Sequence, residues 1–217
     1  MRLLLLTDIH GHTEKLEKIV KKEDFDAILC AGDLSDATEY DDYSGKLEQV
    51  LEAMQKQGNM AKAVPGNMDP EEKCLEQLIE RRMNIHKKIA SFEDFEVVGF
   101  GGGITPFGTP FEPSGGEIKS ALEQLYGRMN TERKFAVIHQ PPHDTQLDLA
   151  EGNHVGSQEV RDLIEKKDFE LVLTGHIHEA RGKDTVGDTL IVNPGPVLEG
   201  YYAILDTSGN LEMKSLN

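Results

Sequence analysis

Five short groups of metal-binding side-chain types punctuate the chain: Asp8-Ile9-His10, Gly32-Asp33, Gly66-Asn67-Met68-Asp69, His139 and Gly175-His176-Ile177-His178. Imidazoles with carboxylates suit manganese, iron, zinc or nickel better than calcium. Asp33 has two oxygens with which to bridge two cations, and Asn67 offers a neutral oxygen. In an extended or loosely turning segment residues two apart point the same way, so Asp8 with His10, and His176 with His178, can each reach one point. The glycines at 32, 66 and 175 let the backbone turn without a side chain blocking the crevice. A lone histidine at a strand end is usually a hydrogen-bonded structural residue. Four of them in step with Asp8, Asp33 and Asn67 read as a centre for two divalent cations, manganese favoured.

Every group needs an element to hold it. The apolar runs 2–7, 27–30, 61–64, 135–138 and 171–174 read as buried strands, each ending where a ligand group begins. Between them, apolar residues recur at helical spacing: Leu16, Ile19 and Val20; Leu47, Val50, Leu51 and Met54; Leu75, Leu78 and Ile79; Ile118, Ala121, Leu122 and Leu125; Val160, Leu163 and Ile164. This is α/β order, and the carboxyl ends of parallel strands are where such sheets bind ligands. Alternating segments at 84–89, 95–100, 190–193, 201–205 and 211–214 lack intervening helices, so part of the sheet is expected to be antiparallel. The stretches 101–116 and 141–156 read as long loops at the rim of the site.

The chain has 217 residues, 23 Lys plus Arg against 39 Asp plus Glu, and a net charge of -16. That length suits one domain over residues 1–217 with an ordinary core. Such acidity argues against a protein that wraps long nucleic acid, because phosphate binding needs a basic surface. A small anionic substrate remains compatible, since bound cations reverse the local potential. Cys30 and Cys74 are too few for a disulfide scaffold and suit a reducing compartment. The opening leucines 3–6 are too short for a signal or membrane segment, so the cytoplasm is the expected location and no membrane partner is expected. Oligomeric state is open.

Taken in order, the five groups resemble the DxH, GD, GNx(D/E), H and GHxH motifs of the calcineurin-like metallophosphoesterase superfamily, in its small intracellular branch. The resemblance spans residues 8–178. It implies a four-layer α-β-β-α sandwich of two mixed sheets. It also implies that Asp8, His10 and His178 hold one metal, that Asp33 bridges, and that Asn67, His139 and His176 hold the other. Asp8, Asp33, Asn67 and His139 are then the residues closest to the chemistry. The activity expected is hydrolysis of a small phosphodiester, nucleotides included, by a metal-bridging hydroxide without a covalent intermediate.

One departure from the motif bears on substrate. Many members read GNH(D/E), whose His is a candidate proton donor to the leaving oxygen, whereas here Met68 stands in that place and a thioether has no proton to give. General-acid help is worth about 10²–10⁴ in rate, so Met68 moves the expectation toward diesters or activated esters. Phosphomonoester hydrolysis is the alternative activity. A scaffold that keeps the fold without chemistry, as in the retromer subunit of the superfamily, is the alternative class, and its eroded ligands contrast with the full set here. Protein Ser/Thr phosphatase motifs are missing, and Asp36 stands where purple acid phosphatases need a Tyr ligand.

Four further residues are candidates for substrate contact or for bracing the ligands: His12, Met68, Asp69 and His154. His12 is expected before the first helix with Thr13 as its cap, and Asp69 is expected to orient Asn67 or its loop. His86 reads as structural, in a surface strand. Gly101-Gly102-Gly103 reads as a tight crossing, Asn193-Pro194-Gly195-Pro196 as a rigid turn, and the acidic cluster of Glu39, Asp41 and Asp42 as a solvated face.

Overall fold

The computed structural model describes residues 1–216. Its first half alternates strand and helix: β1 (Arg2–Leu6), α1 (Thr13–Lys22), β2 (Ala27–Cys30), α2 (Tyr43–Gln55), β3 (Met60–Ala63), α3 (Glu71–Glu80), β4 (Ile89–Ser91), β5 (Glu96–Phe100) and α4 (Gly115–Tyr126). Then follow β6 (Lys134–Ile138), a small hairpin of β7 (Leu149–Ala150) and β8 (Asn153–His154), α5 (Gln158–Lys166), β9 (Leu171–Leu173), β10 (Gly182–Val186), β11 (Thr189–Asn193), β12 (Tyr201–Asp206) and β13 (Leu211–Ser215). One sheet has the order β13-β12-β1-β2-β3, the other β10-β11-β9-β6-β5-β4. The ligand-bearing strands are parallel within each sheet, β1 with β2 and β2 with β3, and β6 with β9, with β5 parallel to β6 on its other side. Antiparallel strands complete both sheets, as the helix-poor end of the chain suggests.

The four leucines of β1 explain the layering. Leu3 and Leu5 face the second sheet, in a core with Val97, Phe135 and Leu171, while Leu4 and Leu6 face the helices, in a core with Leu16, Leu47 and Leu51. A strand covered on both sides has no polar face, so it reads as an unbroken apolar run. The third core packs Val98, Ala136 and Val172 against Ile118, Leu122 and Val160 of α4 and α5. Three cores separate four layers, α-β-β-α, the sandwich that the motifs imply.

The structure also corrects the sequence reading. Helix α3 buries Cys74 and Leu78, leaving Ile79 52% exposed, so its inner face is turned from the Leu75/Ile79 stripe. Segment 84–89 is no continuous strand. It makes isolated bridges to Ala63 and Gly99 before β4 begins. Edge strand β10 carries a polar sequence, GKDTV, that offers no apolar alternation to read. Thr13 is the first residue of α1, and His12 occupies its N-cap position without a capping bond. Asp42 is more than solvated surface, because it caps α2 by accepting from the Gly45 amide.

Candidate metal centre

The loops that leave β1, β2, β3, β6 and β9 are laced together where the strands end. The Asp8 amide donates to Gly32, those of Ile9 and His10 to Asp33, that of Gly102 to Pro65, and that of Gly175 to His139. Side-chain donor atoms of Asp8, His10 and His178 lie within 4.8 Å of one another, as do those of Asp8, Asp33 and His139. The two groups are continuous. His10 Nε2 is 3.3 Å from His178 Nε2 and 3.5 Å from Asp33 Oδ2. His139 Nε2 is 3.5 Å from the same Asp33 oxygen and 3.0 Å from Asn67 Oδ1. The His176 ring lies 5.1 Å from that of His139, and its amide donates to Asp8. Asp8, expected at one cation only, has an oxygen in both groups.

Proton positions test whether cations belong here. His139 Nδ1 is 2.6 Å from the Ala31 carbonyl and donates to it, so Nε2 is the nitrogen turned toward the oxygens of Asn67 and Asp33. The Asn67 amide nitrogen is directed instead at the Met68 sulfur, 3.2 Å away. His10 Nδ1 likewise donates to Asp36 Oδ2 at 3.1 Å, which turns its Nε2 toward Asp33 and His178. Acceptor atoms gathered this closely repel unless protons or cations lie among them. Donor separations of 3.0–3.5 Å match the edges of a polyhedron with metal–donor bonds of about 2.1 Å. The residues fit two divalent ions.

Electrostatics agree. Burial pushes the Asp33 carboxyl up to about 6, reinforced by Asp8 and Asp69 and only partly opposed by His139 and His10. Burial opposes protonation of His10, yet the Asp36 hydrogen bond and the charges of Asp33 and Asp8 raise it to about 9. Without metal, this pocket draws in protons to offset its carboxylates. Burial and the neighbouring His139 hold His176 down to about 3, so its ring stays neutral and ready to coordinate.

The backbone at these positions is unusual. Asp8, His10, Asp33 and His176 all have positive φ, between 46° and 72°, and they make up half of the non-glycine residues with positive φ among the described residues. Of the extended or loosely turning geometries expected of Asp8-Ile9-His10, the structure shows the turning one, with left-handed residues that cost of order 1–3 kcal/mol each and persist where surrounding structure enforces them. Asp69 supplies part of that enforcement, accepting from the amides of Leu34, Ser35 and Gly66 and from the Tyr43 hydroxyl. It thus ties the Asp33 loop to the Asn67 loop and does not reach the metal donors. At Gly66 a Cβ would collide with the Asp33 backbone and carboxylate, so only glycine lets these loops close.

A cavity of about 740 Å³ opens onto the centre, lined by His10, Asp33, Asn67, His176 and His178 and then by Met68 and the loop around Phe107. His12 and His154 are not among its lining residues. His12 faces a different surface hollow with Tyr40 and Lys15, and His154 bonds Asp148 beneath the β7–β8 hairpin. His86 is buried and not in a surface strand. Its Nδ1 accepts from the Gly101 amide at the base of the Phe107 loop. Asn193 is buried too, donating to Ile177 and so bracing the His176–His178 turn. Sequence reading noted Asp36 only as a departure from the purple acid phosphatase ligand and missed its bond to His10, which no motif marks.

A two-sheet sandwich whose parallel strand ends gather carboxylates, imidazoles and an amide around metal-sized gaps defines a metallophosphoesterase architecture. Comparison with known proteins gives the same class. The calcineurin-like phosphoesterase family model matches residues 1–180, and the chain belongs to this family. It is 33% identical to an uncharacterized protein of Methanocaldococcus jannaschii, over 97% of this chain and 94% of that one. Its fold is similar to the crystal structure of TT1561 from Thermus thermophilus, with a TM-score of 0.82, 24% identity, and coverage of 100% and 99% of the two chains. It is also similar to that of a dimetal phosphatase from Danio rerio, with a TM-score of 0.68, 13% identity, and coverage of 94% and 91%.

Proposed function

We propose that the protein is a two-metal phosphodiesterase acting on a small organic phosphoester. The observation that carries this reading is the convergence of donor atoms from Asp8, His10, Asp33, Asn67, His139, His176 and His178. Two divalent cations bound there, manganese first among them with iron, zinc and nickel as alternatives, would activate water and neutralise phosphoryl oxygens. The protein's own part is to set proton positions. Asp36 and the Ala31 carbonyl hold the protons of His10 and His139 on Nδ1, leaving Nε2 free. Asp8 and Asp33 supply the negative charge that retains the ions.

Two features favour a diester over a monoester. Met68 offers no proton to a leaving oxygen, and among the described residues no Lys or Arg lines the cavity to balance the second charge of a monoester dianion. The net charge of -16 favours small substrates over long nucleic acid. No helix among the described residues is long and apolar enough to cross a membrane, and the free, buried Cys30 and Cys74 are consistent with a cytoplasmic location.

The test is elemental analysis of protein purified without chelator, paired with rates on bis-p-nitrophenyl phosphate and p-nitrophenyl phosphate for wild type and Asp33→Asn. Wild type should carry two metals per chain and prefer the diester, and Asp33→Asn should lose metal and turnover together. A preference for the monoester would select the alternative activity, and bound metal without turnover on either ester would select a scaffold.

A further inference from the structure

Large apolar side chains that face solvent singly are ordinary, whereas several converging on one cavity mark a binding surface. Among the described residues Met60, Ile79, Ile104, Phe107 and Val155 are the exposed large hydrophobics, and the last three all line the metal cavity. Phe107 is 83% exposed.

This wall is built, not incidental. The Glu112 carboxylate accepts from Thr105, from the Thr109 amide at 2.8 Å and from the Thr109 hydroxyl at 2.9 Å, closing the loop into a turn that carries Phe107. Gln140, fully buried and next in sequence to His139, accepts from the Ile104 amide at 2.7 Å and donates to the Val155 carbonyl at 3.3 Å. One side chain therefore joins both halves of the wall to the strand end that carries a metal donor. The charged groups lining the cavity beyond the metal donors are the carboxylates Glu151 and Glu179. What lies against the wall must then be apolar and free of further negative charge.

We propose that Ile104, Phe107 and Val155 form a subsite for an uncharged aromatic substituent of a phosphoester carrying a single phosphoryl group, an inference that rests on the metal-centre reading above. The test is calorimetric titration of metal-loaded protein with phenylphosphonate, methylphosphonate and 4-carboxyphenylphosphonate, which differ only in what reaches the wall. Phenylphosphonate should bind about tenfold more tightly than methylphosphonate, as expected for partial burial of a ring, and the added carboxylate should cancel the gain. Phe107→Ala and Val155→Ala, both at exposed positions, should each reduce the preference for the phenyl ligand while leaving methylphosphonate affinity unchanged. Equal affinity for the two ligands in wild type, or losses shared equally by both in the variants, would overturn the subsite and leave the metal centre standing. Failure of metal-loaded wild type to bind either phosphonate would overturn the subsite, whereas failure to take up metal before the titration would overturn the metal-centre reading and the subsite with it.

Discussion

In the proposed centre His10 and His139 would coordinate through Nε2, so the groups that accept from their Nδ1 atoms decide where Nε2 points. For His139 that group is a backbone carbonyl, beyond the reach of substitution. For His10 it is Asp36, whose other oxygen is itself fixed by the Thr38 amide and hydroxyl and by the Glu39 amide. Asp36→Ala should therefore weaken metal binding by about 10–100-fold, read by metal titration, with Asn recovering part of the loss because its carbonyl can still accept the His10 proton. Gly103 gives a second handle. A Cβ there would lie about 3.0 Å from both His176 Nδ1 and Asn67 Oδ1, so Gly103→Ala should lower metal content at the His139 side with little change in melting temperature. At this scale the gathering of Asp8, His10, Asp33, Asn67, His139, His176 and His178 was legible because their types and order follow the family's motifs. Asp36 and the left-handed backbone of Asp8 and His176 were not, because the first depends on a fold-made contact and the second leaves no mark on residue type.

Two mobile-looking stretches of sequence, 101–116 and 141–156, turn out to be braced elements, and each brace is a buried or clipped polar side chain. Under the β7–β8 hairpin it is Asp148, fully buried, which accepts from the amides of Thr145 and Gly156 and from His154 Nδ1 at 2.8 Å. His143 Nδ1, 3.6 Å from Asp148, and Asp144, 3.8 Å from His154, complete the charged surroundings. The Asp148 bond raises the His154 pKa above its ordinary value of 6.5. Burial opposes ionisation of Asp148, but its bonds from His154, Thr145 and Gly156 outweigh that and lower it below 3.8. The His154 contribution is thus complete below pH 6.5 and disappears as pH rises through its folded value. The Asp148 contribution is present above 3.8 and disappears as pH falls. Amide exchange at Val155 and Gly156, corrected for intrinsic rate, should be slowest between about pH 4 and 6.5, and His154→Ala should flatten its alkaline limb. Element boundaries were legible wherever burial was two-sided, as in β1. They were illegible where an edge strand such as β10 has no buried face to write a pattern, or where helix α3 turned its small Cys74 inward in place of Ile79.

For the molecule as a whole, the donor set that makes the centre is also a burden on folding. Asp8 and Asp33 are almost wholly buried carboxylates within one sandwich that already carries a charge of -16. Burial, then Asp8 and Asp69, holds the Asp33 pKa up near 6 against an ordinary 3.8. A carboxyl raised on folding binds its proton more tightly in the native state, so metal-free protein should lose stability as pH climbs from about 4 to 6 and not regain it above, a cost of about 3 kcal/mol from the linkage relation. Cations that bind only the folded state offset that cost by mass action. Asp33→Asn separates the two effects. Its amide oxygen can still accept the Met68 amide that Asp33 Oδ1 accepts at 2.8 Å, yet it removes the buried charge and a bridging donor. In chelator at pH 8 the variant should melt above wild type, and in saturating manganese below it. Melting curves in the two buffers check this crossing, and a variant less stable than wild type in both would mean that Asp33 supports the fold by contacts beyond its charge.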